Sequence, residues 1–181
     1  MPNVKYTLLG FNQEMLCFFN KEKWVVDKKG ETKRIIVSLQ PQDLFVLDWF
    51  LDDIWKLRNR TAIKAVTNPE DGLEYVNIQY SRTSEYFPFL FRNKYTVTQS
   101  MERMVYLGLL KSYHYKTGGR YSCFRPNDEL LYLIIYNKKR IEDGQMEEAF
   151  NTFLDKFVIP NGLFLLKRES EKKDISSSKI T

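Results

Sequence analysis

The sequence contains few of the residues that bind transition metals or form disulfides. Among 181 residues there are two cysteines, Cys17 and Cys123, and one histidine, His114. The cysteines are far apart and neither belongs to a CxxC pair. Because structural zinc sites use four Cys or His ligands, usually in close pairs, no metal site is predicted. Two isolated thiols favour a reducing, cytoplasmic setting in which they do not form a disulfide.

Long apolar runs are also missing. No stretch approaches the roughly 18 consecutive apolar residues of a membrane span, so no contact with a membrane is predicted. Residues 1–11 contain no long apolar core after their basic residue, and we expect no secretory signal. The chain has neither a GxxxxGK phosphate loop nor a motif of paired carboxylates. With a single histidine as well, the sequence predicts a protein that is not an enzyme and needs no cofactor.

Aromatic residues, by contrast, are abundant. The chain has 13 Phe and 11 Tyr and is 43% hydrophobic, which is ample for one buried core and argues against a disordered protein. Only residues 167–181 are charged and serine-rich without an apolar pattern, and they predict a flexible tail.

The most informative stretch is residues 75–123. Its patterns predict, in order, a strand, a helix, a tight turn, a second helix, a strand, a glycine-rich turn and a final strand. That order is typical of a winged helix-turn-helix. The first helix is predicted at residues 82–91 and the second, the candidate recognition helix, at residues 96–110. The wing would turn at residues 116–120, where two glycines suit a positive φ.

The candidate recognition helix has one apolar face and one polar face. Val97, Met101 and Met104 recur at helical spacing, and Gly108 is a typical helix stop. Short hydroxyls, an amide and an arginine on the other face can reach base edges and phosphates in a major groove. The residues predicted to face outward are Thr96, Thr98, Gln99, Glu102, Arg103 and Tyr106.

Positive charge is concentrated in this part of the chain. Between Arg82 and Arg125 there are eight basic and two acidic residues, a net charge of +6, whereas the whole chain carries +5. Clustered charge of this kind suits phosphate neutralisation, although a solvated basic face is the simpler alternative. We expect Gln99 and Arg103 to read bases. Lys94, Lys116 and Arg120 are expected to hold phosphates. The complete set of predicted DNA contacts is Arg82, Arg92, Lys94, Thr96, Thr98, Gln99, Arg103, Lys116 and Arg120.

Two elements are predicted before this motif. Residues 21–39 contain two β-branched runs around a polar turn with Gly30, the pattern of a β-hairpin. The charged tip of this hairpin is explained more simply by solubility than by a contact with the DNA backbone. Residues 41–57 have the apolar spacing of an amphipathic helix. Its three aspartates, Asp48, Asp52 and Asp53, are interpreted as the solvent-exposed face and not as a metal site.

Three further segments are predicted after the motif. Residues 126–136 are strongly apolar and fit either a strand or a buried helix. A last helix is predicted at residues 145–157. The apolar run at residues 162–166 would dock on the chain's own core or on a second copy. We therefore expect a winged-helix domain at residues 1–137, which contains the DNA-reading segment 75–125, and a C-terminal helical extension at residues 138–166.

Three stretches of the sequence resemble a known family. They are LLGFNQEML, LQPQDLFVLDWFLDD and residues 75–127, with the local motifs Trp49-Phe50, Phe87-Pro88 and the GG-x-Tyr-Ser pattern at residues 118–122. Over roughly residues 6–126 the chain resembles the N-terminal domain of phage replisome organisers, which are replication initiators of bacteriophages and mobile elements of Gram-positive bacteria. The resemblance implies an α+β winged-helix fold, binding of double-stranded DNA in a bacterial host cell, and no catalysis.

The chain departs from that family at two places. The hairpin at residues 21–39 is an insertion, and an organiser normally continues into a second, self-assembling domain where this sequence predicts one helix and a tail. Three functions therefore stay open: replication initiation or its control, a dimeric transcriptional repressor, and an anti-CRISPR-like inhibitor of a host defence complex that binds nucleic acid. The corresponding partners would be double-stranded DNA, a second copy bound through the C-terminal helix, or a host replication or defence protein.

Overall fold

Helices and small antiparallel sheets make up the fold in the computed structural model, which describes residues 7–59, 65–78, 94–116, 120–135 and 137–166. The predicted α+β class is confirmed over these ranges. No helix among them is both long enough and apolar enough to cross a membrane.

The N-terminal segment turns twice before it enters the core. Strands β1 (Thr7–Leu8) and β2 (Phe11–Asn12) pair antiparallel, and the short helix α1 (Gln13–Leu16) follows. The Asn12 side chain accepts hydrogen bonds from two backbone amides of α1 at 3.0 and 3.3 Å and so caps the start of this helix. This cap fixes the direction of α1, so that Met15 is completely buried.

The predicted hairpin is present. Strands β3 (Asn20–Val26) and β4 (Thr32–Ser38) form seven antiparallel pairs in a two-stranded sheet. The Asp27 carboxylate accepts two backbone N–H groups of the turn at 2.8 and 3.0 Å, and Gly30 takes the left-handed φ of +82° that the turn requires. The turn residues Asp27 and Gly30 therefore set the register of this hairpin.

The amphipathic helix predicted at residues 41–57 begins as α2 (Pro41–Trp49) and continues as a π-helical segment (Phe50–Trp55). Proline in the first turn has no hydrogen bond to lose there, which explains where the helix begins. The wider π-helical turn shifts the apolar stripe. Phe50 is completely buried, while Leu51 and Ile54, which a regular helix would have placed on the core face, are half-buried.

One four-stranded antiparallel sheet brings the middle of the chain together. Its strands are β5 (Ala65–Thr67), β6 (Glu74–Asn77), β7 (Leu110–Lys116) and β8 (Arg120–Pro126), in the order β5-β6-β8-β7. Helix α3 (Lys94–Tyr106) lies between β6 and β7 in the chain. Because β8 pairs with both β6 and β7, the strand before α3 is joined to the two strands after it.

The C-terminal part is helical. The ambiguous apolar run after β8 forms helix α4 (Asp128–Ile134), and α5 (Lys138–Glu142) follows it. The predicted last helix is α6 (Met146–Phe153), which continues as a π-helical segment (Leu154–Val158) and ends in the short α7 (Ile159–Asn161).

A single cluster of buried side chains unites these elements. Phe11 and Phe19 from the N-terminal segment, Leu47 of α2 and Met101 of α3 belong to the same cluster as Phe153 of α6. The segment predicted as a C-terminal extension therefore packs into the common core.

The apolar run at residues 162–166 docks on the chain itself. Leu163 is buried and forms an isolated antiparallel bridge with Lys21. The Phe164 backbone N–H donates to the Asn20 carbonyl at 3.0 Å, and the Asn20 side-chain amide donates to the Phe164 carbonyl at 2.9 Å. Of the two predicted docking modes, the structure shows the one on the chain's own body, at the base of the hairpin.

Candidate nucleic-acid interface

Helix α3 presents one face to the core and one to solvent, as its sequence predicts. Val97, Met101 and Met104 are completely buried. Gly108 has a φ of +86°, and the Leu109 N–H donates to the Met104 carbonyl at 2.9 Å, so the helix ends in the turn at Gly108. The solvent-facing side, called the α3 stripe below, consists of Tyr95, Gln99, Glu102 and Tyr106.

The structure places only some of the predicted DNA contacts. Gln99 is exposed on the α3 stripe, and Thr96 and Thr98 beside it are half-buried. Helix α3 begins at Lys94, two residues before the predicted start, so its first turn carries a further basic residue. The backbone of Lys116 pairs with that of Arg120 at the ends of β7 and β8. Arg82 and Arg92, the glycines of the wing turn, and the side chains of Lys94, Lys116 and Arg120 lie outside the described residues.

The prediction for Arg103 needs correction. Its guanidinium forms a two-pronged ion pair with the Asp43 carboxylate, Nε to Oδ2 at 2.7 Å and Nη2 to Oδ1 at 3.0 Å. The Arg103 side chain is 22% exposed and that of Asp43 is completely buried. A guanidinium that donates two hydrogen bonds to a buried carboxylate is not free to read a base. If it moved away, the buried carboxylate would be left without a compensating charge. Arg103 is a structural residue that ties α3 to α2.

Asp43 has a second partner at the start of α2. Its Oδ2 also accepts the Gln40 backbone N–H at 2.7 Å, which completes a capping box at this helix end. The sequence indicated only that an acid in the first turn suits the helix dipole. Nothing in the spacing of residues revealed that a basic residue 60 positions later would pair with it.

The hairpin contacts the C-terminal end of the α3 stripe. The Tyr106 hydroxyl donates to the Glu22 carbonyl at 2.6 Å. The ammonium groups of Lys21 and Lys23 lie 5.0 and 5.3 Å from the centre of the Tyr106 ring, within the range of cation–π attraction. The hairpin and the α3 stripe therefore form one continuous surface, which the sequence patterns did not indicate.

The positive charge of the central segment is partly compensated. Arg125 donates to Asp128 at 2.8 Å and its side chain is only 13% exposed. Together with the pair between Arg103 and Asp43, this places two of the eight basic residues beside carboxylates outside the segment. The net charge of +6 counted from the sequence therefore overstates the positive charge that is free to meet a phosphate.

An aromatic cluster, formed by Trp55 and Tyr75, lies beside the same Arg125. The Arg58 guanidinium stacks 4.1 Å from the Trp55 ring centre, with Arg125 at 5.4 Å. Nearby, the Tyr75 hydroxyl donates to the Asp71 carboxylate at 2.7 Å. This hydrogen bond, helped by the Leu73 backbone N–H, lowers the pKa of Asp71 below its usual value. The cluster consists of satisfied structural contacts.

The described residues contain no group of three or more His, Cys, Asp or Glu side chains placed to hold a metal ion. His114 is exposed on β7, where its Nδ1 lies 3.0 Å from the Ser122 hydroxyl. Cys17 is exposed, Cys123 is buried, and both are free thiols. The Ser122 hydroxyl and the His114 imidazole are therefore in hydrogen-bond contact across β7 and β8.

No protein-family model, no curated protein and no solved structure matches this chain.

Proposed function

We propose that the protein is a non-enzymatic double-stranded DNA-binding protein with a winged helix-turn-helix core. In this proposal α3 is the recognition helix, and β7 and β8 with their turn are the wing. Its place in replication initiation or its control in a phage or mobile element rests on the sequence resemblance to replisome organisers.

The observation that carries this proposal is the order of elements around α3. A winged helix has a short strand before its recognition helix and two strands after it, joined in one antiparallel sheet. Here β6 precedes α3, β7 and β8 follow it, and β8 pairs with both of the others. The packing of α3 against α2, held by Arg103 and Asp43, agrees with this arrangement.

The contacts proposed for DNA are revised by the geometry. Gln99 is the base-reading candidate because its amide is exposed on the α3 stripe and can form a two-pronged contact with adenine. Lys94, Lys116 and Arg120 stay in the proposal as phosphate contacts on the strength of the sequence. Arg103 leaves the set, since its guanidinium is occupied by Asp43.

Fluorescence anisotropy with a duplex of random sequence tests the proposal. Binding should weaken steeply between about 50 and 200 mM salt. Lys116→Ser should reduce the slope of log K against log salt by about 0.9 and act on all sequences alike, because a phosphate contact carries no sequence information. Gln99→Ala should instead reduce discrimination on a selected target by about 1–3 kcal/mol.

A matched control for the lysine is Lys139→Ser, which removes the same charge from the exposed surface of α5. This variant should keep the wild-type slope. The proposal fails if duplex DNA does not bind at about 50 mM salt, or if Lys116→Ser and the control behave identically.

A second candidate function is supported by a different observation. The hairpin exposes Trp24, Val26 and Ile36, 66%, 69% and 46% accessible, on one side of a two-stranded ribbon. Exposed apolar side chains of this size are typical of a protein-docking surface and would suit an inhibitor of a host complex. Absence of DNA binding together with capture of a defined host complex would favour this candidate.

A further inference from the structure

We propose that the β3–β4 hairpin is a second DNA-contacting element, which binds the duplex backbone next to the segment read by α3. This inference rests on the proposed function. It differs from the usual roles of a recognition helix and wing because the hairpin lies outside the winged-helix order, near the start of the chain.

The first support is the fixed position of the hairpin beside α3. The hydrogen bond from Tyr106 to the Glu22 carbonyl and the two lysine ammonium groups over the Tyr106 ring join β3 to the end of the α3 stripe. At the same end of β3, the Phe164 backbone holds Asn20, so the base of the hairpin is anchored twice. A ligand that lies along the α3 stripe would therefore meet the base of the hairpin next.

The second support is uncompensated positive charge. Residues 20–38 contain six basic and three acidic residues. Lys33 pairs with Asp27 at 2.5 Å, and Arg34 pairs with Glu22 at 3.1 Å. The remaining lysines have no carboxylate partner within the described part of the chain: Lys21, Lys23, Lys28 and Lys29. Two lie at the base, over Tyr106, and two lie exposed in the turn.

The third support is the reach of the hairpin. Strands of seven residues extend about 23 Å at roughly 3.3 Å per residue. Duplex DNA rises about 3.4 Å per base pair, so the hairpin can follow the backbone for roughly seven base pairs. The lysines at its two ends would then contact phosphates at both ends of that interval.

The charge of the hairpin favours DNA over a protein as the occupant. The cores of protein–protein interfaces are depleted in lysine, whereas four uncompensated lysines on one ribbon match a polyanion. Trp24 and Val26 lie on the face of the ribbon opposite to Lys21 and Lys23, because side chains alternate along β3, so they are not part of the proposed phosphate contacts.

The test compares two double variants with equal net charge. Lys28→Ser/Lys29→Ser removes the turn charges and leaves the turn intact, because the Asp27 carboxylate binds two backbone amides and the Lys33 ammonium, and these two side chains take no part. Lys139→Ser/Lys156→Ser removes two exposed charges from the C-terminal helices and serves as the control. Both are measured by salt-dependent anisotropy and by footprinting on the same duplex.

If both turn lysines contact phosphate, the hairpin variant should lose about 1.8 units of salt slope and the control none. Between about 50 and 200 mM salt, wild-type affinity should consequently fall roughly tenfold more than that of the hairpin variant. The footprint should shorten at one end only.

Three outcomes would overturn the inference. Equal slopes and footprints for the two double variants, with DNA binding intact, would refute the hairpin contact and leave the proposed function standing. Absence of duplex binding by the wild type would refute both. Concentration-dependent self-association that Trp24→Ser abolishes, with no effect of the turn lysines on DNA binding, would identify the hairpin as a protein interface.

Discussion

Replacing Arg103 with methionine distinguishes a structural arginine from a DNA-reading one. Asp43 is completely buried and receives three hydrogen bonds, two of them from Arg103. Removing one partner of a buried ion pair costs about 3–5 kcal/mol, because the remaining charge is left without compensation. Arg103 is 22% exposed, so water can partly replace it, and we expect a loss near the lower limit, about 3 kcal/mol.

The loss should be visible in both thermal and chemical unfolding. For a chain of this size each kcal/mol lowers the melting temperature by about 2–4 °C, so Arg103→Met should melt roughly 6–12 °C below wild type. Urea titration followed by tryptophan fluorescence should give a lower midpoint with an unchanged slope.

Two further variants test whether the loss comes from the buried ion pair. Arg34→Met removes the same charge from a pair with Glu22 in which both side chains are about half exposed, and it should cost only about 0–1 kcal/mol. Asp43→Asn combined with Arg103→Met should recover part of the loss, since no charge is then left buried. The reasoning is refuted if Arg103→Met melts like wild type yet loses sequence-specific DNA binding.

Two further predictions concern single acidic residues. Glu102→Gln removes the one acid of the α3 stripe. Duplex binding should tighten roughly threefold, as expected when a negative charge about 7 Å from a phosphate in water is removed. The control Glu147→Gln on α6 should leave the affinity for the duplex unchanged. Asp71 has a lowered pKa because the Tyr75 hydroxyl and then the Leu73 N–H bind its ionised form. Its contribution to stability is therefore present above the ordinary aspartate pKa of about 3.9 and disappears as the pH falls through the lower folded value. Melting curves between about pH 5 and 2 should accordingly show a smaller acid-induced loss for Asp71→Asn than for wild type.

Local patterns predicted much of the fold. The alternation and turn residues of the hairpin, the Asn12 cap, and the buried face of α3 are all decided by residues close to one another in the chain. Such features depend on backbone geometry and side-chain period, which the sequence displays directly. The apolar run that became α4 was ambiguous because short buried strands and helices have the same composition.

The candidate site was less predictable. Arg103 was expected to face solvent because it lies beside Gln99 and Glu102 on the polar side of α3. Arg103 lies at the border of the polar side, and a long side chain at such a border can extend either into water or toward a neighbouring helix. Here the buried Asp43 decides, and its location was unknown until α2 and α3 were packed together.

The amino-acid sequence alone determined the helices and strands with strong periodicity, the turn of the hairpin, and the excess of positive charge in residues 82–125. Only the tertiary structure decided which of those charges are compensated, that the last helix shares the common core, and that the hairpin lies against Tyr106. The physical reason is the distance along the chain over which each interaction acts. Period and turn chemistry act over a few residues, whereas ion pairs and packing join groups that are distant in the chain, and their partners are set only when the core closes around them.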